Sequence, residues 1–348
     1  MPDKPIVVGV SGINAVDNPG PGAGVARSLR EAEGLSARVV GLAYDAMEPG
    51  IYMDWLFDRS FILPYPSGGG EAMVERLLYL KHTHGLDCVI PNLDAELPVY
   101  IRYAKELEAA GIRTFLPTRE QFQVRSKANL PDVATAIGIR APRTEVVTAP
   151  ELLHAAVERL GLPVMVKGLF YKAKRAVTHH EAATYAHELA VEWGYPILLQ
   201  EIVTGEELNV VGVGDGEGGS LGMVGIKKSW ITTQGKIWTG LTVHHQPMLQ
   251  AAERLVKEYR WRGPYELECI VGTSGEVFLI EVNPRFPAWS YFATGVGQNL
   301  AALLVRRMLG LPVEPAREYP AGRLFVRYTY ELVTDLETFQ RIVTRGET

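Results

Sequence analysis

The chain of 348 residues is 47% hydrophobic and 22% charged, with 35 Lys plus Arg against 40 Asp plus Glu, a formal net charge of −5. That profile fits a globular protein long enough for two or three domains, and it holds no reservoir of positive charge for a dedicated nucleic-acid binder. Two cysteines, Cys88 and Cys269, exclude a disulfide scaffold and a four-thiolate metal site, and their apolar surroundings read as buried thiols of a reducing compartment. No signal-peptide pattern opens the sequence, and the longest uncharged stretch, 286–305, is broken by Pro287, Gly295, Gly297, Gln298 and Asn299, too polar to span a bilayer. A cytoplasmic protein with neither a nucleic-acid nor a membrane partner is expected.

In chain order, apolar runs at 6–10, 38–43, 61–63, 88–91 and 114–116 alternate with helical patterns at 24–33, 71–82 and 98–110. Strands separated by crossover helices predict a doubly wound parallel sheet, whose ligands gather at the carboxyl ends of the strands. Ser11 and Asn14 fall at that edge, as do Asp94 and Glu96. The two acids suit an amine cation, and equally an acidic turn at the start of the helix near Pro98. Gly20, Gly22 and Gly24 lack the GxGxxG spacing and no Walker A sequence is present, which argues against a dinucleotide-binding dehydrogenase.

A helical pattern at 127–137, closed by Gly138, leads into a strand at 144–147, a helix at 150–160 and a strand at 164–167. A basic loop at 171–175, a helix at 181–192 and a strand at 197–200 complete a small α+β module of roughly 60 residues, short enough to act as a lid. Beyond Gly205 the texture is β-rich. Candidate strands at 208–213, 221–227, 237–243, 266–271 and 277–281 surround one helix at 247–259, and a helix at 299–309 and a strand at 323–329 follow. Successive antiparallel strands predict an α+β domain. The expected divisions are a Rossmann-like domain at 1–117, a linker and lid at 118–204, and a β-rich domain at 205–348. His244 and His245 are adjacent on a strand, so they point to opposite faces and cannot chelate one metal; one is expected inside and one outside.

The most informative stretch runs from Tyr265 to Arg285. Read as a hairpin turning at 273–276, it sets Glu268 opposite Glu281, with Asn283 on the same face as Glu281. Two carboxylates about 4 Å apart at an effective dielectric of about 20 repel by about 4 kcal/mol. Either that face is solvated or a cation sits between them. Two carboxylates and an amide oxygen form a hard, all-oxygen site of the kind that holds Mg²⁺, and Arg285 beside it carries a donor fork suited to phosphate oxygens.

Glu281, Asn283 and Arg285, with Glu268 upstream across a hairpin, resemble the metal-binding end of the ATP-grasp superfamily, nearest in pattern to the carbamoyl-phosphate synthase large subunit and carboxylate–amine ligases. The order of regions is similar as well: a Rossmann-like leading domain, a small lid module and a β-rich domain bearing the acidic hairpin. The resemblance implies that Lys167, at the end of an apolar strand, and Lys127 hold the phosphates of ATP. It implies an interdomain hinge at 198–207, where the backbone of Ile202 and Val203 reads adenine beside Glu201, and Glu207 accepts from the ribose hydroxyls. It assigns Glu268, Glu281 and Asn283 to one or two Mg²⁺, or Mn²⁺, and Arg285 to the acyl phosphate.

Two departures stand out. Ser126 occupies the place of an acidic residue, and no glycine-rich phosphate loop follows Lys167; Lys172, Lys174 and Arg175 stand there instead, able to supply charge to phosphates or to an acidic substrate. The resemblance implies a ligase that activates a small-molecule or peptide carboxylate as an acyl phosphate and joins it to an amine, in a protein expected to form homodimers. The alternatives are bicarbonate activation, as in carbamoyl-phosphate synthase or biotin carboxylase, and a nucleotide-binding subunit without chemistry.

Overall fold

Runs that are apolar at successive positions must bury both faces, and the leading strands do so. In the computed structural model, which describes residues 4–168, 173–233, 235–316 and 318–348, the chain divides into two compact units. The first comprises Met1–Gln123, Leu208–Leu267 and Val282–Thr348; the second comprises Val124–Glu207 and Glu268–Glu281.

The first unit opens with a parallel sheet in the order Arg59–Ile62, Ala37–Ala43, Ile6–Val10, Leu86–Ile90. Val8, Val10 and Val39 pack into one core and Val7, Val40 and Leu42 into another, the two-sided burial of a doubly wound sheet. Helix Pro21–Arg30 begins three residues before the sequence pattern, because Pro21 takes the first helical position and Gly22 lets the helix start against the end of the first strand. A Cβ on Gly22 would collide with the Ser11 carbonyl oxygen. The pattern at 98–110 is two helices, Leu97–Arg102 and Ala104–Ala109, broken at Tyr103. The run at 114–116 is not a strand; a single parallel bridge joins Cys88 to Arg113 just before it.

A six-stranded sheet follows, in the order Val277–Asn283, Arg262–Gly272, Gly205–Asp215, Ser220–Ile231, Ile237–Thr242, Leu324–Val326. Its strands run longer than their apolar centres, since paired backbone continues into polar ends. Val211, Val213, Val224 and Ile226 join the core that also holds Val8 and Val10. His244 is exposed and donates through Nε2 to the Tyr319 carbonyl at 2.8 Å, while the half-buried His245 caps helix Gln246–Glu258, so neither histidine is fully inside.

The second unit is built on an antiparallel sheet in the order Thr144–Val147, Ile197–Glu201, Val164–Lys167, Ala173–Ala176. Helices Leu153–Leu160 and His179–Trp193 cover one face, burying Val147, Val164, Val166, Ala176, Ile197 and Leu199. The second helix starts with a two-way cap: the Glu181 N–H donates to Thr178 Oγ1 at 3.1 Å, and the N–H of Val177, just before the cap, donates to Glu181 Oε2 at 2.7 Å. Of the segment expected as a basic loop, 171–175, the described part belongs to strand Ala173–Ala176. The hairpin end 268–281 joins this unit through Arg140, which donates to the Val277 carbonyl at 2.9 Å and accepts from the Leu279 N–H at 2.7 Å. Both cysteines are buried and free, and burial pushes each thiol up to about 12, leaving them unreactive.

Candidate active site

In the second unit, alternation along Val164–Lys167 sends Val164 and Val166 under the helices and Met165 and Lys167 to the other face. Gln200, directly opposite Met165, shares that face. Lys167 Nζ donates to Gln200 Oε1 at 2.5 Å, and Gln200 Nε2 donates to Thr144 Oγ1 at 3.0 Å, so the lysine is held by an amide that is itself held. Burial pushes the Lys167 ammonium down to about 8, and the neighbouring Lys127 adds to the effect; Glu281 and Glu268 act in the opposite direction. Lys127 Nζ lies 3.5 Å from the Gly168 carbonyl. Two lysines and two half-buried glutamates, expected from separate parts of the sequence, therefore meet in one electrostatic cluster.

The basic residues after Lys167 divide differently from expectation. Lys172 lies outside the described residues. Lys174 pairs across the strands with Val166, and Arg175 with Met165. Directly opposed residues share a face, so Lys174 stands on the helix-covered side; there it pairs with Glu188 and lies 4.8 Å from the centre of the Tyr185 ring. Arg175 is the residue that shares the Lys167 face.

At the expected hinge, Glu201 is opposite Val164 and so faces away from Lys167. Its carboxylate accepts from the Arg143 N–H at 2.8 Å and from Arg143 Nε at 2.6 Å. Ile202 and Val203 lie between the strands Ile197–Glu201 and Gly205–Asp215, half-buried and outside regular structure, and Glu207 is exposed near the start of the second strand.

In the first unit, Glu266 is 4% exposed and was not singled out by its sequence context. It accepts from Asn209 Nδ2 at 2.7 Å, Trp289 Nε1 at 2.7 Å and Asn283 Nδ2 at 3.0 Å. The last bond fixes the Asn283 amide, committing its nitrogen to Glu266 and turning its oxygen the other way. Arg285 donates through Nε at 3.1 Å and Nη2 at 3.0 Å to Asp94 Oδ2.

Asp94 and Glu96 thus part company. Glu96 is fully buried and accepts from Ser11 Oγ, the Tyr44 hydroxyl, and the N–H groups of Asn92 at 2.8 Å and Leu93 at 2.9 Å; burial raises its carboxyl pKa. It borders a cavity of about 420 Å³ at the carboxyl edge of the parallel sheet. Glu48, on the same wall, accepts from the Tyr44 N–H at 2.8 Å. Only the contact between residues distant in sequence reveals this cavity.

No family model matches the chain. It is 35% identical over 131 residues to a phosphoribosylamine–glycine ligase of Mycobacterium leprae, covering 35% of this chain and 31% of that protein. It is 26% identical over 302 residues to a formate-dependent phosphoribosylglycinamide formyltransferase of Synechococcus, covering 81% of this chain and 72% of that protein. The chain therefore spans about a third of the length of the glycine ligase it matches. Among solved structures, a biotin carboxylase–β,γ-ATP complex from Campylobacter jejuni superposes with a TM-score of 0.69 at 11% identity, over 88% of this chain and 71% of that one. An ADP complex of N5-carboxyaminoimidazole ribonucleotide synthetase gives 0.68 at 16% identity, over 93% and 81%. Parallel leading sheet and small antiparallel module agree with these likenesses: the chain has the ATP-grasp fold.

Proposed function

We propose that this chain is an ATP-dependent ligase that activates a carboxylate as an acyl phosphate and joins it to an amine. The observation that supports it most is the meeting of Lys127, Lys167, Glu268 and Glu281 within one unit, charges suited to nucleotide phosphates and a hard cation. The donor set fits Mg²⁺ or Mn²⁺: Glu268 and Glu281 offer carboxylates, and Asn283, two residues beyond Glu281 on the same strand, has its amide nitrogen committed to Glu266. A metal held by Glu268, Glu281 and Asn283 would supply positive charge to offset that of the ATP phosphates.

The remaining roles belong to the chain's own groups. Lys167 and Lys127 pair with phosphate oxygens, and Gln200 keeps Lys167 in place. Of the three residues expected to supply charge there, Lys172, Lys174 and Arg175, Arg175 adds it from the Lys167 face. Ile202 and Val203 offer backbone groups to the adenine edge, with Glu201 anchoring that segment through Arg143, and Glu207 accepts from the ribose. Arg285, oriented by Asp94, holds the acyl phosphate and the charge that develops on it. In the reaction a substrate carboxylate oxygen attacks the γ-phosphorus and ADP leaves. The amine nitrogen then attacks the acyl carbon, phosphate departs with the electrons of the C–O bond, and the nitrogen gives up a proton. No protein nucleophile is needed.

The test is calorimetric titration of Mg·ATP into the wild type and Glu281→Gln, followed by a screen of carboxylates and amines for ADP release. Magnesium-dependent binding that weakens at least tenfold in the variant is expected. Equal binding without magnesium and without the Glu281 charge would overturn the site. ADP release with bicarbonate and no other carboxylate would move the reading to bicarbonate activation, and tight binding with no release under any acceptor to a non-catalytic subunit.

A further inference from the structure

The cavity at the carboxyl edge of the parallel sheet carries chemistry of its own. Asn14, Tyr44, Asp45, Glu48, Tyr65 and Glu96 are among its lining residues, and among the described residues that lining includes three carboxylates but neither lysine nor arginine. Glu48 is 7% exposed; one carboxylate oxygen is satisfied by the Tyr44 N–H, and the other, Oε2, is buried without a hydrogen-bond partner among the described residues. A buried carboxylate oxygen left unpaired costs free energy that a bound donor would recover. The rings of Tyr44 and Tyr65 stack at 5.8 Å between centroids, giving the cavity a π surface, and Val16, Met47 and Pro49 supply apolar wall. An ammonium group on an apolar stem satisfies each feature: it donates to Glu48 Oε2, sits against aromatic faces, and places its hydrocarbon on the apolar side. A phosphate-bearing ligand meets three acids and, among the described lining residues, no lysine or arginine.

We infer that this cavity binds a primary amine in its cationic form and excludes phosphorylated ligands, with Glu48 as the residue that reads the charge. Naming the bound amine the acceptor of the ligase rests on the function proposed above; the binding itself does not. Glu96, which accepts from four donors, fixes the wall, since it holds Ser11 and the ring of Tyr44, the residue whose N–H donates to Glu48.

The test uses the intact chain with benzylamine as probe, benzyl alcohol as its neutral counterpart and ribose 5-phosphate as an anionic one, each followed by calorimetry at pH 8. Benzylamine is expected to bind, with benzyl alcohol and ribose 5-phosphate at least tenfold weaker. Glu48→Gln is expected to lose at least tenfold of the benzylamine affinity. Tyr65→Leu, at a position 58% exposed and so outside the core, is expected to lose several-fold and serves should the first variant misfold. Benzylamine binding unchanged in both variants, equal binding of the alcohol, or preference for ribose 5-phosphate would overturn the inference. Mg·ATP titrated into the same wild-type sample and into Glu281→Gln judges the ligase reading separately, so the two can fail independently.

Discussion

Asp94 and Arg285, 191 residues apart in the sequence, form a partly buried ion pair in which two guanidinium nitrogens converge on a single carboxylate oxygen, Asp94 Oδ2, at 3.1 and 3.0 Å. The acid leaves the strand Leu86–Ile90 and the arginine follows the strand Val277–Asn283, so the pair fixes the fork of Arg285 at the edge of the first unit. A planar fork held this way is pre-organised for a second, anionic partner. Arg285→Lys keeps the charge and loses the fork; with the arginine acting on the acyl phosphate, kcat of ADP release falls on the order of 100-fold while KM for ATP changes little. Asp94→Asn acts through position and gives a smaller loss. A change in KM alone for Arg285→Lys would place the arginine in ground-state binding instead.

Lys167 sets a pH dependence. Its ammonium, held down at about 8, carries charge below that value and loses it above. Mg·ATP affinity is therefore expected to weaken as pH rises from 7 to 9.5, and Lys167→Arg, charged throughout, to flatten the profile. Stability runs the other way: the unfolded lysine titrates near 10.5, so between about 8 and 10.5 the unfolded state holds more protons and folding gains as pH rises. Calorimetry at pH 7, 8 and 9.5 checks the first sign; a wild type with no pH trend would remove Lys167 from the phosphate site.

Glu48 gives the opposite linkage for an acid. Burial raises its carboxyl to about 7 against an ordinary 4.5, so the folded state holds more protons between those values and its contribution to stability is lost as pH rises through that window. Glu48→Gln is neutral at every pH. It is expected to be more stable than the wild type at pH 8 by on the order of 2 kcal/mol, and no more stable at pH 4.5, in urea denaturation. The same ionisation makes benzylamine bind more tightly at pH 8 than at pH 6, with Tyr44, Asp45, Tyr65 and Glu96 the titratable groups around Glu48. A substitution that stabilises the fold while removing amine binding would mark a carboxylate kept for function.

Glu266 is a positioning residue with a structural cost attached. Glu266→Leu strips the acceptor from Asn209, Asn283 and Trp289, leaving buried donors at about 1–3 kcal/mol each, and a total loss of roughly 3–5 kcal/mol is expected in urea denaturation. Glu266→Gln retains one acceptor oxygen and loses less stability, yet unlocks the Asn283 amide. Its signature is a weakened dependence on magnesium concentration in Mg·ATP binding, which a purely structural role would leave unmoved.

What was legible in the sequence was local. An unbroken apolar run marks Ile6–Val10, because two-sided burial leaves no room for polar alternation, and Val164–Lys167 and Thr144–Val147 coincide with their expected bounds. The acidic hairpin and Arg285 lie within 18 residues of one another, from Glu268 to Arg285, so spacing alone suggested their chemistry. Tertiary structure decided the rest. Whether Lys174 or Arg175 faces Lys167 depends on cross-strand register, and a one-residue difference turns a side chain through the sheet. The parting of Asp94 from Glu96, the buried acceptor Glu266 and the acid-lined cavity around Glu48 all depend on contacts between distant segments. A carboxylate in a linear sequence looks the same whether it will be solvated, ion-paired or buried without a partner; only burial and the neighbours brought by folding assign its charge.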